Sequence, residues 1–208
     1  MKITAKYSLP AILFLLLAST SGAMAQAYEV GLLIGHLKTT DRSIVSTAPV
    51  KAVFDGAFTY QANFAKRMVD GKVASFHWEV LLTGAPKTNI SSTSLLLPKN
   101  YSTLFITPGV KLKLLPTGSI SPYIATGAGY GRYSASETLT NGQPNTGDRG
   151  KNTFVYNFGG GLDFNILGLI SLRGEVRDFI TGNPRFNTNF LTNKQHNISV
   201  GAGVVLRF

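Results

Sequence analysis

The residues best placed to do chemistry cluster on a few short stretches. Arg173, Glu175 and Arg177 recur at every second position, the spacing that sets three side chains on one face of a β-strand. Cations alternating with a carboxylate could gate an ion path, cradle an anion, or lock into salt bridges that plug an interior. His77 and Glu79 share a face by the same rule, but one imidazole lacks the further ligands a metal site needs. Gly127-Ala128-Gly129-Tyr130-Gly131 imitates part of a nucleotide-binding loop. That loop requires a helix N-terminus to hold phosphate, and here a strand continues. His36 and His196 fall toward strand ends, where an interfacial or loop role is the ordinary one. The chain has no cysteine, which excludes a disulfide scaffold, a thiolate zinc site and a cysteine nucleophile. No catalytic residue, metal or cofactor is expected.

These residues must be positioned by strands. Charged residues make up 14% of the 208, below the usual quarter of a soluble domain. The 22 glycines argue against a helical bundle, since each costs a helix about 1 kcal/mol. Thirteen Phe and eight Tyr argue against disorder. From Phe54 to Phe64, Phe54, Gly56, Phe58, Tyr60, Ala62 and Phe64 alternate with Asp55, Ala57, Thr59, Gln61 and Asn63, the period-2 pattern of a strand. The same alternation runs through Val73 to Thr83, Leu104 to Leu114, Thr153 to Asn165, a seventh strand around Leu172 to Arg177, and the C-terminal stretch to Phe208. Tyr28 to Thr39 and Pro122 to Ser134 complete eight strands, although their faces are too apolar or glycine-rich to phase. The connections alternate long and short, so the simplest topology is an up-and-down meander with both termini on the short-turn side.

The first residues read as an export signal. Lys2 and Lys6 precede a short apolar run from Leu9 to Ala18, and Ala23-Met24-Ala25 matches a small-x-small cleavage site. The expected division is a signal peptide over 1–25 and one barrel domain over 26–208. The run contains Pro10 and is too short for a spanning helix of about 20 residues. Export makes nucleic acid an unexpected partner despite the net charge of +10.

Which face is inside follows from energy. A soluble barrel would turn its apolar face inward, whereas an outer-membrane barrel has a polar interior and an apolar band facing lipid. Here one face is crowded with aromatics, and the other carries small residues, amides and mid-strand charges. Tyr28, Phe64, Phe164 and Phe208 are expected near one rim, with Phe54, Phe154 and Phe179 near the other. A Lys or Arg facing lipid at mid-membrane costs roughly 2–4 kcal/mol, and Asp or Glu less. The charged face must therefore point inward. On this phasing the lumen holds Glu29, Asp55, Glu79, Asp163 and Glu175 against Lys111, Lys113, Arg173, Arg177 and Arg207, a balanced network.

These segments resemble the outer-membrane β-barrel domain family, the opacity-type and OmpA/OmpX-like small barrels. The likeness rests on Ser121-Pro122-Tyr123-Ile124-Ala125-Thr126-Gly127-Ala128-Gly129-Tyr130, Phe158-Gly159-Gly160-Gly161-Leu162-Asp163-Phe164, Leu172 to Phe179, and Val200 to Phe208. It implies an eight-stranded antiparallel transmembrane barrel in a Gram-negative-type outer membrane. Val204, Leu206 and Phe208, apolar at alternate positions with a terminal Phe, look like the signal read by the barrel-assembly machinery, which is the partner expected during biogenesis. Lipid A deacylases of similar size carry a His-x-Ser-Asn motif on a late strand with a partner carboxylate. Here Asp178-Phe179-Ile180-Thr181 stands at the comparable place, and His196-Asn197-Ile198-Ser199 has the residue types at the wrong spacing.

The sequence thus points to a structural or surface-interaction role, such as membrane integrity, adhesion or binding through four long loops. A narrow pore is the alternative, followed by a lipid-modifying enzyme. The basic loop residues Arg42, Lys87, Lys99, Arg149, Lys151, Arg185 and Lys194 suit contact with anionic lipids, including lipopolysaccharide. No residue pattern names an external loop partner.

Overall fold

The computed structural model describes residues 27–45, 50–92, 96–182, 184, 186–188, 190–191 and 194–208. The expected signal peptide, 1–25, lies outside the described residues, as does Arg185. Ten strands form where the period-2 pattern runs: β1 Tyr28–Thr39, β2 Arg42–Ile44, β3 Val50–Phe54, β4 Ala57–Val69, β5 Ala74–Ser92, β6 Asn100–Leu114, β7 Ile120–Ala135, β8 Gly150–Leu167, β9 Ile170–Gly182 and β10 Lys194–Arg207. Eight of them close a ring in the order β1-β4-β5-β6-β7-β8-β9-β10, every pairing antiparallel, with β10 returning to β1. The result is an all-β up-and-down barrel.

The expected strand count of eight describes the ring but not the whole chain. The run from Phe54 to Phe64 breaks at Asp55-Gly56, and the residues before the break belong to a separate hairpin, β2–β3. That hairpin adds to the end of β5, pairing Ala52 with Ser92 and Phe54 with Ile90. The break reverses the phase. Phe54 turns inward and is fully buried, while Asp55 is exposed. Asp55 is therefore not part of the lumen.

Register partners traced around the ring from Glu29 run through Ala65, Glu79, Gly109, Gly127, Asn157, Phe179 and Asn197, and return to Thr39. The stagger is ten residues, from 29 to 39 along β1. With eight strands spaced about 4.8 Å apart and rising about 3.3 Å per residue, this stagger implies a tilt of roughly 40° and a backbone diameter of about 16 Å. Such a barrel has room for side chains and little else.

The outer wall is apolar. On β8, Phe154, Tyr156, Phe158, Leu162 and Phe164 are all solvent-exposed in the isolated chain. At that tilt, Phe154 to Phe164 covers about 25 Å, the height of the lipid-facing band of such barrels. Phe58, Tyr60, Tyr130, Phe154 and Tyr156 ring its upper edge. Phe76, Phe164 and Trp78 lie toward the lower edge, where Tyr28 packs against both Phe64 and Phe208 at 6.0 Å. Of the aromatics expected at the upper rim, only Phe154 is there. Phe54 and Phe179 are buried inside, Phe179 because it shares the inward parity of Arg173 and Arg177.

Inward glycines let the strands close tightly. A Cβ on Gly203 would stand 2.0 Å from the Leu32 carbonyl oxygen, so the β1–β10 seam requires the bare backbone there. A Cβ on Gly159 would meet Arg177 Cγ at 2.8 Å, so this glycine makes room for a lumen arginine.

Candidate functional site

The lumen is the largest concentration of buried polar chemistry, and it divides into two storeys. In the storey nearer the termini and short turns, Glu29, Glu79, Lys111, Lys113, Asp163, Arg173, Glu175, Arg177 and Arg207 all point inward and are buried. The strand stagger sets Glu29 of β1 level with Lys113, Asp163 and Arg173, residues far apart in sequence. Arg173 grips Asp163 with two bonds, Nε to Oδ1 at 2.7 Å and Nη2 to Oδ2 at 2.8 Å. It also donates to Glu29 Oε2 and Asn63 Oδ1, each at 3.2 Å. Its guanidinium lies 4.7 Å from the centre of the Tyr123 ring, which also faces Lys111 Nζ at 5.6 Å.

Glu29 is the hub. Lys111 donates to it at 2.6 Å, Lys113 bonds its other oxygen, and Arg173 and Arg207 approach at 3.2 and 3.5 Å. Asp163 is shared by Lys113 at 2.7 Å, Arg173, and Arg207 at 3.1 Å. One level up, Arg177 pairs with Glu79 at 2.7 Å and donates to Glu175 at 3.0 Å. Asn157 accepts from Arg177 at 3.0 Å, Tyr123 donates its hydroxyl to Glu175 at 2.7 Å, and Gln61 donates to the same carboxylate. Asn63 donates to Glu79 at 2.8 Å.

With Asp55 outside, the balance expected from sequence does not hold. Among the described residues the lumen sets four carboxylates, Glu29, Glu79, Asp163 and Glu175, against five cations. The excess is concentrated around Glu29 and Asp163, which together face Lys111, Lys113, Arg173 and Arg207.

The upper storey is apolar, a feature the sequence reading missed. Leu37, Phe54, Leu81, Phe105, Tyr101, Tyr133, Val155 and Phe179 fill it, and Ile44, Ile90, Leu97, Phe186 and Phe190 from the hairpin, the outer end of β5 and the long connections close over them. Phe105 stacks on Phe179 at 5.1 Å, and Tyr101 meets Phe186 at 4.9 Å. The Tyr101 hydroxyl donates to Thr39 at 3.1 Å, and that of Tyr133 lies 2.8 Å from Thr181 Oγ1. A signal existed. Phe105 has the parity of Thr107, Lys111 and Lys113, and Val155 that of Asn157 and Asp163. The charged residues of the same parity mask these inward apolar ones in the pattern. Above this storey Arg42 lies 4.8 Å over the Phe190 ring and donates to the Lys194 carbonyl at 3.0 Å. Burial there pulls its guanidinium below the usual arginine pKa, opposed by nearby Tyr133 and Tyr101.

Other sequence candidates are dispersed. His77 is buried beside Ser75, with Nε2 2.9 Å from its hydroxyl, and no group of three His, Cys, Asp or Glu suited to a metal occurs among the described residues. Gly127 and Gly129 are embedded in β7. His196 is on the outer wall, Nδ1 2.7 Å from Asp178 Oδ2, while Ser199 is buried toward the lumen. The residue types of the deacylase motif are thus split between two faces. Val204 faces outward and Phe208 exchanges backbone hydrogen bonds with Tyr28 at 2.9 and 3.0 Å.

No protein-family model and no curated protein sequence matches the chain. Solved structures do. Neisserial surface protein A superposes with a TM-score of 0.57 at 15% identity, covering 88% of this chain and 97% of that one. The outer membrane protein OprG from Pseudomonas aeruginosa gives 0.53 at 14% identity, covering 88% and 96%. At these identities the likeness is one of fold, and it agrees with the eight-strand ring: the chain has the fold of the small, OmpA/OmpX-like outer-membrane β-barrels.

Proposed function

We propose that the protein is exported through a cleaved signal peptide into a bacterial outer membrane, assembled there by the barrel-assembly machinery, and works as a closed barrel through its outer face. Its role on this reading is structural or surface-interacting, with outer-leaflet lipids, lipopolysaccharide included, around the wall and an external partner at the long connections. The carrying observation is the doubly filled lumen. Lys111, Arg173 and Arg177 are at most 1% exposed, and the aromatic storey above them is equally dry. A conducting pathway would have to wet both. In planar bilayers the purified protein should therefore show no stable single-channel steps, and large steady steps would replace this reading with the pore.

The same reading sets the long connections outside the cell. Protease added to intact cells should cut within the exposed stretch 141–147 and spare the short turn 115–119. Cleavage only at 115–119 would show that the barrel is inverted.

A further inference from the structure

We propose that the outer rim of β5 to β8 binds the phosphate groups of outer-leaflet lipid. This deepens the lipid contact proposed above and rests on the same orientation. Four adjacent strands each present a polar side chain there: Lys87, Ser102, Arg132 and Asn152. Lys87 lies in the bulge of β5 between Ala85 and Thr88, and Thr88 pairs with Tyr101, which sets Lys87 beside Ser102. Arg132 pairs with Leu104 on one side and Asn152 on the other. Arg132 is exposed between the buried Gly131 and Tyr133, so it points to the outside of the wall. Its guanidinium reaches Gly150, with Nη2 3.9 Å from where a Cβ would stand. Asn152 accepts from the Tyr130 hydroxyl at 2.7 Å, tying the row to the aromatic edge directly below.

Charge decides the partner. Among the described residues Lys87 and Arg132 have no ion pair. The nearby carboxylates are otherwise engaged: Glu137 holds Arg149 at 2.5 Å, and Asp148 accepts from the Gly150 amide at 3.3 Å. Asp55, just past the end of β3, lies across the other edge of β5, where its amide bonds the Asn89 carbonyl. Elsewhere on the rim the outward cations are occupied or isolated. Lys38 pairs with Asp41 at 3.7 Å and donates to the Phe54 carbonyl at 2.5 Å, His196 is held by Asp178, and Lys194, at the start of β10, has no ion pair among the described residues. Two unpaired cations, with the Ser102 hydroxyl between them and the Asn152 amide beside the arginine, match a phosphate: the guanidinium fork takes two oxygens, and the ammonium supplies a point charge. Their height, one step along each strand above Leu104, Tyr130 and Phe154, is just outside the aromatic girdle that marks the membrane interface, where headgroup phosphates lie.

The test uses the full chain, folded in outer membranes and extracted in detergent, with binding measured by titration calorimetry. The probes are a bisphosphorylated glucosamine-disaccharide lipid, the same lipid without phosphates, and inorganic phosphate. The unmodified protein should bind the phosphorylated lipid at least tenfold tighter than the dephosphorylated one, and millimolar inorganic phosphate should not displace it. The pair Lys87→Gln and Arg132→Gln should lose at least tenfold, Arg132→Lys alone less, and Lys194→Gln under twofold. Heat-modifiable migration checks that each variant is folded. Equal binding of the two lipids, an unchanged double variant, an equal loss in Lys194→Gln, or displacement by inorganic phosphate would each overturn the proposal. Bilayer currents from the same preparations test the closed barrel separately: steady conductance with the tenfold difference intact would sink that reading and leave this one standing.

Discussion

Replacing Glu29 with alanine should destabilise the barrel more than replacing any other lumen residue, including Arg173. Breaking a buried ion pair from one side typically costs about 3–5 kcal/mol, because the abandoned charge stays buried. Arg173→Ala falls in that range. Asp163 would keep Lys113 at 2.7 Å and Arg207 at 3.1 Å, and the lumen would move from five cations and four carboxylates to four of each. Glu29→Ala moves the other way. Lys113, Arg173 and Arg207 would then share Asp163, Lys111 would keep only Glu79 at 3.9 Å, and five cations would face three carboxylates. The expected loss is at or above the upper end of that range, a large part of a typical folding stability of about 5–15 kcal/mol. Urea unfolding in lipid vesicles, followed by the Trp78 fluorescence, measures the order. A Glu29→Ala barrel at least as stable as Arg173→Ala would show that the positive excess is not what strains the lumen. Because the network is dry, salt should change this ranking little.

Deleting Phe208 should reduce the folded, heat-modifiable form at least tenfold in cells, whereas Lys151→Ala in the exposed outer part of β8 should leave it unchanged. The reason is the position of the seam. β10 is the last strand made and must close on β1 through eleven register pairs from Glu29–Arg207 to Thr39–Asn197. The two strands are pinned at the bottom by the reciprocal Tyr28–Phe208 backbone bonds and by ring stacking at 6.0 Å. Without Phe208, Tyr28 loses both backbone partners where the wall meets the membrane edge, and an unpaired strand edge in lipid is costly. Phe208 also ends the alternating apolar pattern that resembles the assembly signal. Separating the two contributions is direct: Phe208→Leu keeps the backbone bonds, so normal assembly of that variant with failure of the deletion would assign the loss to the seam. Normal levels of the deletion itself would refute both.

Alternation in the sequence was enough to assign most faces, because a strand offers each side chain only two directions. Thr59, Gln61, Asn63, Glu79, Lys111, Asp163, Arg173, Glu175 and Arg177 could be oriented from parity and from the cost of charge in lipid. Parity fails where a strand is interrupted, and a single break at Asp55-Gly56 exchanged Phe54 for Asp55 inside the barrel. The alternating lengths of the connections likewise foretold the meander, since antiparallel neighbours need no crossover.

What parity cannot supply is height. Which inward residues meet depends on the ten-residue stagger around the ring, and only closure of β10 on β1 sets that stagger. It brings Glu29 level with Asp163 and Arg173 and gathers four cations around two carboxylates. It also lifts Phe105, Val155 and Phe179 into one layer with Leu37 and Leu81, a dry upper storey that no single strand announces. The sequence by itself determined a membrane barrel with charge inside. The tertiary structure decided that the charge fills one half of the lumen and an aromatic core the other, because packing across a cylinder is a property of all eight strands together.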